Sequence, residues 1–227
     1  MIHTGTTHEI DQRQPHIVVA ICGASGAGYA VTLLQHLLAR GCRVSLLTSA
    51  AGRQVLRLEQ QGGAFPAGVE LSWADEPAVL ERELCEYYQP RAGQLRCYAE
   101  HDFMAPVASG SAAADAMVVI PASMGIVGRL AAGVSNTLIE RASDVMLKER
   151  RRLILVPRET PLHTIHLRNL LTLSETGAII LPAMPAFYHG ATQVQDLVDF
   201  IVSRVLDQLH IEHHLTRRWG DGYTVKG

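Results

Sequence analysis

Five short apolar runs recur along the chain, at residues 17–21, 44–47, 117–120, 153–156 and 178–181. Each is about the length of a strand, is rich in Val and Ile, and lacks polar alternation, the pattern of strands covered on both faces. The segments between them carry helical periodicity. The last is the plainest, with Val194, Leu197, Val198, Ile201, Val202, Val205, Leu206 and Leu209 at three- and four-residue steps. Such alternation winds helices onto both faces of a sheet through right-handed crossovers. The expected fold class is α/β, a doubly wound, mainly parallel sheet with helices on both faces. An acidic helix at 76–88 and an extra strand at 95–98 fill the least regular stretch, and one helix is expected from about 127 to 150.

With 227 residues, 48% hydrophobic and 19% charged, the chain can fill one large core, which excludes wholesale disorder. Residues 16–210 read as a single domain between polar tails at 1–15 and 211–227, the second of which can pack on a neighbouring subunit. Lys and Arg total 20 against 22 acids, a net charge of -2, so no basic footprint for nucleic acid is present. No run approaches the roughly 18 apolar residues of a membrane span, and the opening segment lacks the apolar core of a signal peptide. A soluble, cytoplasmic protein is expected. Cys22, Cys42, Cys85 and Cys97 are far apart and read as reduced thiols. His163 with His166, and His210 with His213 and His214, have no acid or thiol at metal-binding spacing, so no metal site is expected.

In open α/β sheets ligands bind beyond the carboxyl ends of the strands. There the runs are followed by Gly23-Ala24-Ser25-Gly26-Ala27-Gly28, by Thr48-Ser49, by Pro121-Ala122-Ser123-Met124-Gly125, by Pro157-Arg158-Glu159, and by Pro182-Ala183-Met184-Pro185-Ala186-Phe187-Tyr188. A glycine-rich turn opening a helix brings backbone N–H groups to a phosphate. Here it has the glycine spacing of a P-loop, but Tyr29 stands in place of the phosphate-binding lysine. It is not G-x-G-x-x-G, and Ser49 stands where a dinucleotide enzyme places a ribose-binding acid, so a mononucleotide fits better than NAD. Ala27 replaces the closing glycine of a hydrolase elbow. Arg141 and Lys148, seven residues apart, share a helix face. For such a pair alone, a solvated basic face with Glu140, Asp144 and Glu149 as partners is the favoured reading. Arg158 and Glu159 form a charged pair at a buried strand end, which points to a ligand, and Arg204 flanks the apolar face of the last helix.

Taken together the motifs resemble the UbiX-type flavin prenyltransferases. The likeness runs from about residue 17 to residue 219. It rests on the glycine-rich turn, on His101-Asp102-Phe103-Met104-Ala105-Pro106 with Ala108-Ser109-Gly110-Ser111, on Asn136-Thr137-Leu138-Ile139-Glu140-Arg141-Ala142, on Leu147-Lys148-Glu149-Arg150, on Leu155-Val156-Pro157-Arg158-Glu159-Thr160-Pro161-Leu162, and on Pro185-Ala186-Phe187-Tyr188. The resemblance implies a Rossmann-like flavoprotein, usually a homododecamer. It implies metal-independent transfer of a dimethylallyl group from dimethylallyl phosphate to N5 and C6 of reduced FMN, with the prenylated FMN passed to a UbiD-type decarboxylase. It assigns Gly23, Ala24, Ser25, Ser49, Arg158 and the loop Ser123, Met124, Gly125 and Ile126 to FMN. Arg141, Lys148, Tyr188 and Arg204 fall around the prenyl phosphate, Glu159 at the departing phosphate, and Ser25 with Glu59 near flavin N5. Phe103 stands where the family commonly has Trp, a smaller aromatic wall to the prenyl pocket, and Ile126 where it usually has Thr, one flavin hydrogen bond fewer. Two other readings share these residues: an FMN-dependent cysteine decarboxylase of the same fold, and a non-catalytic flavin carrier subunit. The first needs Asn-Thr after Pro121-Ala122-Ser123 and a histidine after the second strand, and the chain has neither.

Overall fold

The computed structural model describes residues 14–63, 65, 69–217 and 220. Among them six parallel strands form one sheet in the order β3-β2-β1-β4-β5-β6. The strands are β1 (His16–Ile21), β2 (Arg43–Thr48), β3 (Leu95–Tyr98), β4 (Ala116–Ala122), β5 (Arg152–Pro157) and β6 (Ile179–Ile180). Helices α1 (Ala27–Ala39), α2 (Ala50–Gln61), α3 (Pro77–Tyr88), α4 (Met124–Ala131), α5 (Leu138–Lys148), α6 (Thr164–Glu175) and α7 (Val194–Leu209) alternate with them. The five apolar runs are all strands, and the extra one is β3. Side chains that alternate along the strands enter two cores. Ile17, Val19, Ile21, Val118 and Ile154 pack under α1 and α7. Val18, Ala20, Met117, Val119 and Leu155 pack under α4 and α5. Burial on both faces is why the runs show no polar alternation. The run at 178–181 is paired only at Ile179 and Ile180, both partly exposed, as befits an edge.

The single helix expected over 127–150 is two. Gly133 adopts φ +69, a conformation that ends a right-handed helix, and a capping box restarts the chain at Thr137. Thr137 Oγ1 accepts from the Glu140 N–H, while the Glu140 carboxylate accepts the N–H groups of Asn136 (2.7 Å) and Thr137 (3.0 Å) and pairs with Arg129. Glu140 is therefore buried in the corner between α4 and α5 and is no partner on a solvated face. Burial pushes its carboxyl up, but the bonds from Arg129, Asn136 and Thr137 outweigh that and hold it below the ordinary carboxylate range. Its stabilising effect is thus present above the unfolded carboxylate pKa and is lost as pH falls through the depressed native value. Glu140→Gln is expected to cost about 2 kcal/mol at neutral pH. Urea unfolding at pH 7 and near pH 4 measures it, and the gap between variant and wild type should narrow at the lower pH.

Packing continues past residue 210, where the sequence reading begins the second tail. Ile211 and Leu215 lie against the core, and Thr216 Oγ1 donates to Ser203 Oγ at 3.2 Å. The rest of the two expected tails, residues 1–13, 218–219 and 221–227, lies outside the described residues. All four cysteines are free. No helix among the described residues is long and apolar enough to cross a membrane.

Candidate functional site

The strand order reverses direction between β1 and β4, and at such a switch point the loops leaving the two strands part to open a crevice at the carboxyl edge. Two glycines shape its floor. A Cβ on Gly52 would sit 2.5 Å from the Ile21 carbonyl oxygen, and one on Gly23 would sit 2.6 Å from Ala51 Cβ. Their bareness lets the first turn of α2 press against the end of β1. Gly26, at φ +115 with the Tyr29 ring beside it, turns the chain into α1.

Three helix N-termini border the crevice. At α1 the N–H groups of Gly26 and Ala27 donate to the Glu59 carboxylate at 2.8 and 2.7 Å. The sequence reading gave those N–H groups to a phosphate; the structure gives them to a side chain. Glu59 thereby reaches the turn that carries exposed Ser25. Burial, and then the charge of Glu59, raise the Tyr29 phenol above its ordinary value. At α2, Ser49 Oγ accepts from Gly52 N–H at 3.0 Å, and Ala50 N–H donates to Glu100 at 3.0 Å. At α4, Ser123 caps the helix, with Met124 and Ile126 buried and Gly125 exposed. Arg158 crosses from the far side, its Nε donating to the Ser25 carbonyl oxygen at 3.0 Å. Exposed Glu159 follows at the rim, accepting the Thr160 N–H. No ion pair joins Arg158 and Glu159, so that carboxylate faces solvent rather than its neighbour. With the α1 end held by Glu59 and Ala50 N–H by Glu100, the α4 end at Ser123, the Ser25 and Ser49 hydroxyls and the Arg158 guanidinium are the groups that suit a phosphate-bearing mononucleotide.

Other expected residues lie elsewhere in the chain. Helix α5 runs back along the sheet, so Lys148 at its end lies near the amino end of β5, and Glu159 lies beyond the carboxyl end. Six residues of strand separate the two ends, about 20 Å at 3.3 Å per residue. Lys148 pairs with Glu149, and a Cβ on Gly110 would sit 2.7 Å from its Nζ. Arg141 donates from Nε to the Ala108 carbonyl oxygen at 2.9 Å and pairs with Asp144 at 2.7 Å. The loop after exposed Phe103 thus lies along α5. Tyr188 and Arg204 mark a third place, near β6: the Tyr188 ring meets Phe200 edge-on at 6.1 Å. Arg204 stands one turn further on, beside an apolar cavity of about 240 Å³ lined by Ile179, Leu181, Pro182 and Met184. A separate cavity of about 920 Å³, between His16, Arg43, Arg96 and Tyr98, contains none of the expected residues. Among the described residues no group of three His, Cys, Asp or Glu could hold a metal ion. Histidines 163 and 166 stack on each other at the start of α6.

Sequence reasoning missed Glu100. The signal was available, because Glu100 is two residues beyond β3, where the strand-end rule would have looked had the extra strand been counted with the other five.

Residues 6–206 match the family described as Flavoprotein. The flavin prenyltransferase UbiX of Pseudomonas aeruginosa is 46% identical over 92% of this chain and 96% of its own length. AnUbiX (PadA1), solved in complex with FMN and dimethylallyl pyrophosphate, is 35% identical with a TM-score of 0.77, covering 93% of this chain and all of that one. A dodecameric FMN-dependent Ubix-like decarboxylase from Escherichia coli O157:H7 is 37% identical with a TM-score of 0.74, covering 90% and 98%.

Proposed function

The chain belongs to the flavoprotein family and, within it, to the UbiX-type flavin prenyltransferases, and from that membership we propose the reaction and the role of each residue. The protein is a transferase that takes a dimethylallyl group from dimethylallyl phosphate to reduced FMN and passes prenylated FMN to a UbiD-type decarboxylase. The carrying observation in the structure is the convergence of the Ser123-capped end of α4, the Ser25 and Ser49 hydroxyls and Arg158 on the switch-point crevice. Gly23, Ala24, Ser25, Ser49, Arg158 and the loop from Ser123 to Ile126 would hold FMN there. Reduced FMN, when bound, supplies the nucleophilic positions N5 and C6.

The chain's own groups do the rest. Glu59, fixed by two backbone N–H groups, sets the turn that presents Ser25. Glu159 delivers a proton to the leaving phosphate, whose growing charge Lys148, Arg141, Tyr188 and Arg204 offset. Phe103 gives the allylic group an aromatic wall away from water. Since Lys148 and Glu159 of one chain are a strand length apart, these clusters meet between chains, and a homododecamer is the assembly we infer. A dodecameric relative supports that assembly.

Anaerobic incubation with reduced FMN and dimethylallyl phosphate is expected to yield, by mass spectrometry, FMN enlarged by one five-carbon unit together with inorganic phosphate. Recovery of unmodified FMN would refute transferase activity. Decarboxylation of a peptide ending in cysteine would favour the decarboxylase reading instead.

A further inference from the structure

The Asp207 carboxylate divides its two oxygens between different partners. Oδ2 accepts from Arg204 Nη1 at 2.7 Å, three residues earlier on α7, and Oδ1 lies 3.1 Å from His213 Nε2. His213 belongs to the segment that follows α7, and that segment is fastened in several ways. Ile211 N–H donates to the Leu206 carbonyl oxygen at 3.0 Å, Ile211 and Leu215 pack on the core, and Thr216 bonds Ser203. Leu215 N–H points at His213 Nδ1 at 3.5 Å. A backbone N–H can only donate, so Nδ1 is the acceptor and Nε2 carries the hydrogen that Asp207 receives. The His213 side chain is 8% exposed and that of Arg204 is 52% exposed. An exposed guanidinium is thus tied, through one carboxylate, to a buried imidazole.

The split matters because a carboxylate with both oxygens available takes two N–H groups of an arginine side by side. With Oδ1 engaged by His213, Asp207 meets Arg204 at Nη1, and the other N–H groups of the fork stay available to an incoming anion. An arginine side chain is also free among many rotamers in solution, and this contact removes part of that freedom before any ligand arrives. We propose that His213 is a positioning residue for the prenyl donor: it keeps Asp207 on one edge of Arg204, so that Arg204 is held in place without being covered. This rests on the reading that Arg204 meets the donor phosphate, and it adds a residue that the family resemblance did not assign.

Two isosteres test it. His213→Asn keeps a group where Nδ1 meets Leu215 but reaches no further, whereas His213→Gln keeps a donor where Nε2 meets Asp207. His213→Asn is expected to raise KM for dimethylallyl phosphate about five- to tenfold, as for one weakened charged hydrogen bond, with kcat and FMN affinity held within about twofold. His213→Gln is expected to restore KM to within about twofold of wild type by keeping that bond. In a double variant with Arg204→Met, the Asn substitution should add nothing further. A wild-type KM in His213→Asn overturns the proposal. So does a parallel loss of FMN affinity and thermal midpoint, which assigns the segment to folding alone. If Arg204→Met itself leaves KM unchanged, the placement of Arg204 at the phosphate fails and the proposal falls with it. If Arg204→Met raises KM and His213→Asn does not, only the proposal falls.

Discussion

Glu159→Gln is expected to fold, bind FMN and bind dimethylallyl phosphate, yet form prenylated flavin at least about 100-fold more slowly, because general acid–base roles contribute 10² to 10⁴. The structure sharpens this expectation. Arg158, the neighbour with which Glu159 might have formed a merely structural pair, is turned to the Ser25 carbonyl oxygen. Glu159 accepts only the next residue's N–H at 3.1 Å, a local bond that Gln also accepts through its carbonyl oxygen. What Gln lacks is a proton to give to a departing phosphate. Single-turnover formation of the product at saturating donor isolates the chemical step. A rate within a few-fold of wild type would remove Glu159 from the chemistry.

Lys148→Ala should weaken binding of dimethylallyl phosphate by about 1.5 to 3 kcal/mol, the range for a lost charged hydrogen bond, while FMN binds as before. Nothing at the switch-point crevice of the same chain depends on Lys148. Its ammonium is exposed and bonded to Glu149, so folding should be little affected. The decisive form of the experiment uses both variants. At donor concentrations too low to saturate Lys148→Ala, co-assembled Lys148→Ala and Glu159→Gln subunits should exceed the activity of either variant alone, since a site taking each residue from a different chain is sometimes wholly wild type. No recovery in verified mixed assemblies would place both residues in one chain's site and contradict the strand-length separation.

Much of this architecture is written in local sequence because the sheet is buried on both faces: runs such as 117–120 have no polar positions to blur them. Strand β3 is harder to read for the same physical reason. It is an edge of four residues in which Leu95 and Cys97 are buried while Arg96 and Tyr98 are not. The break between α4 and α5 was spelled out by Gly133 and the Thr137–Glu140 pair, but an apolar rhythm continuing across it is compatible with one helix. Arg158 and Glu159 stood out in the sequence because they follow a buried strand, but that Arg158 turns to Ser25 while Glu159 is exposed is visible only in the fold. Glu59 was not legible from pattern, since its partners are 33 and 32 residues away and only the fold brings α2 to the turn before α1. The division of Asp207 between Arg204 and His213 was hidden in part. The Arg204–Asp207 pair lies at i,i+3 on a helix and was open to sequence reading, but the share taken by His213 shows only once the chain after α7 is seen to fold back.

The Glu59 carboxylate, seated on the first N–H groups of α1, has a consequence for the catalytic cycle. Proteins that keep a flavin permanently can leave part of its cradle to be ordered by the flavin itself. A flavin prenyltransferase cannot, because its flavin departs as product after every turnover and the protein must wait, empty, for the next. An internal anion that satisfies the helix end holds the turn in shape throughout that interval, so the energy of each arriving FMN goes into recognition rather than into rebuilding its seat.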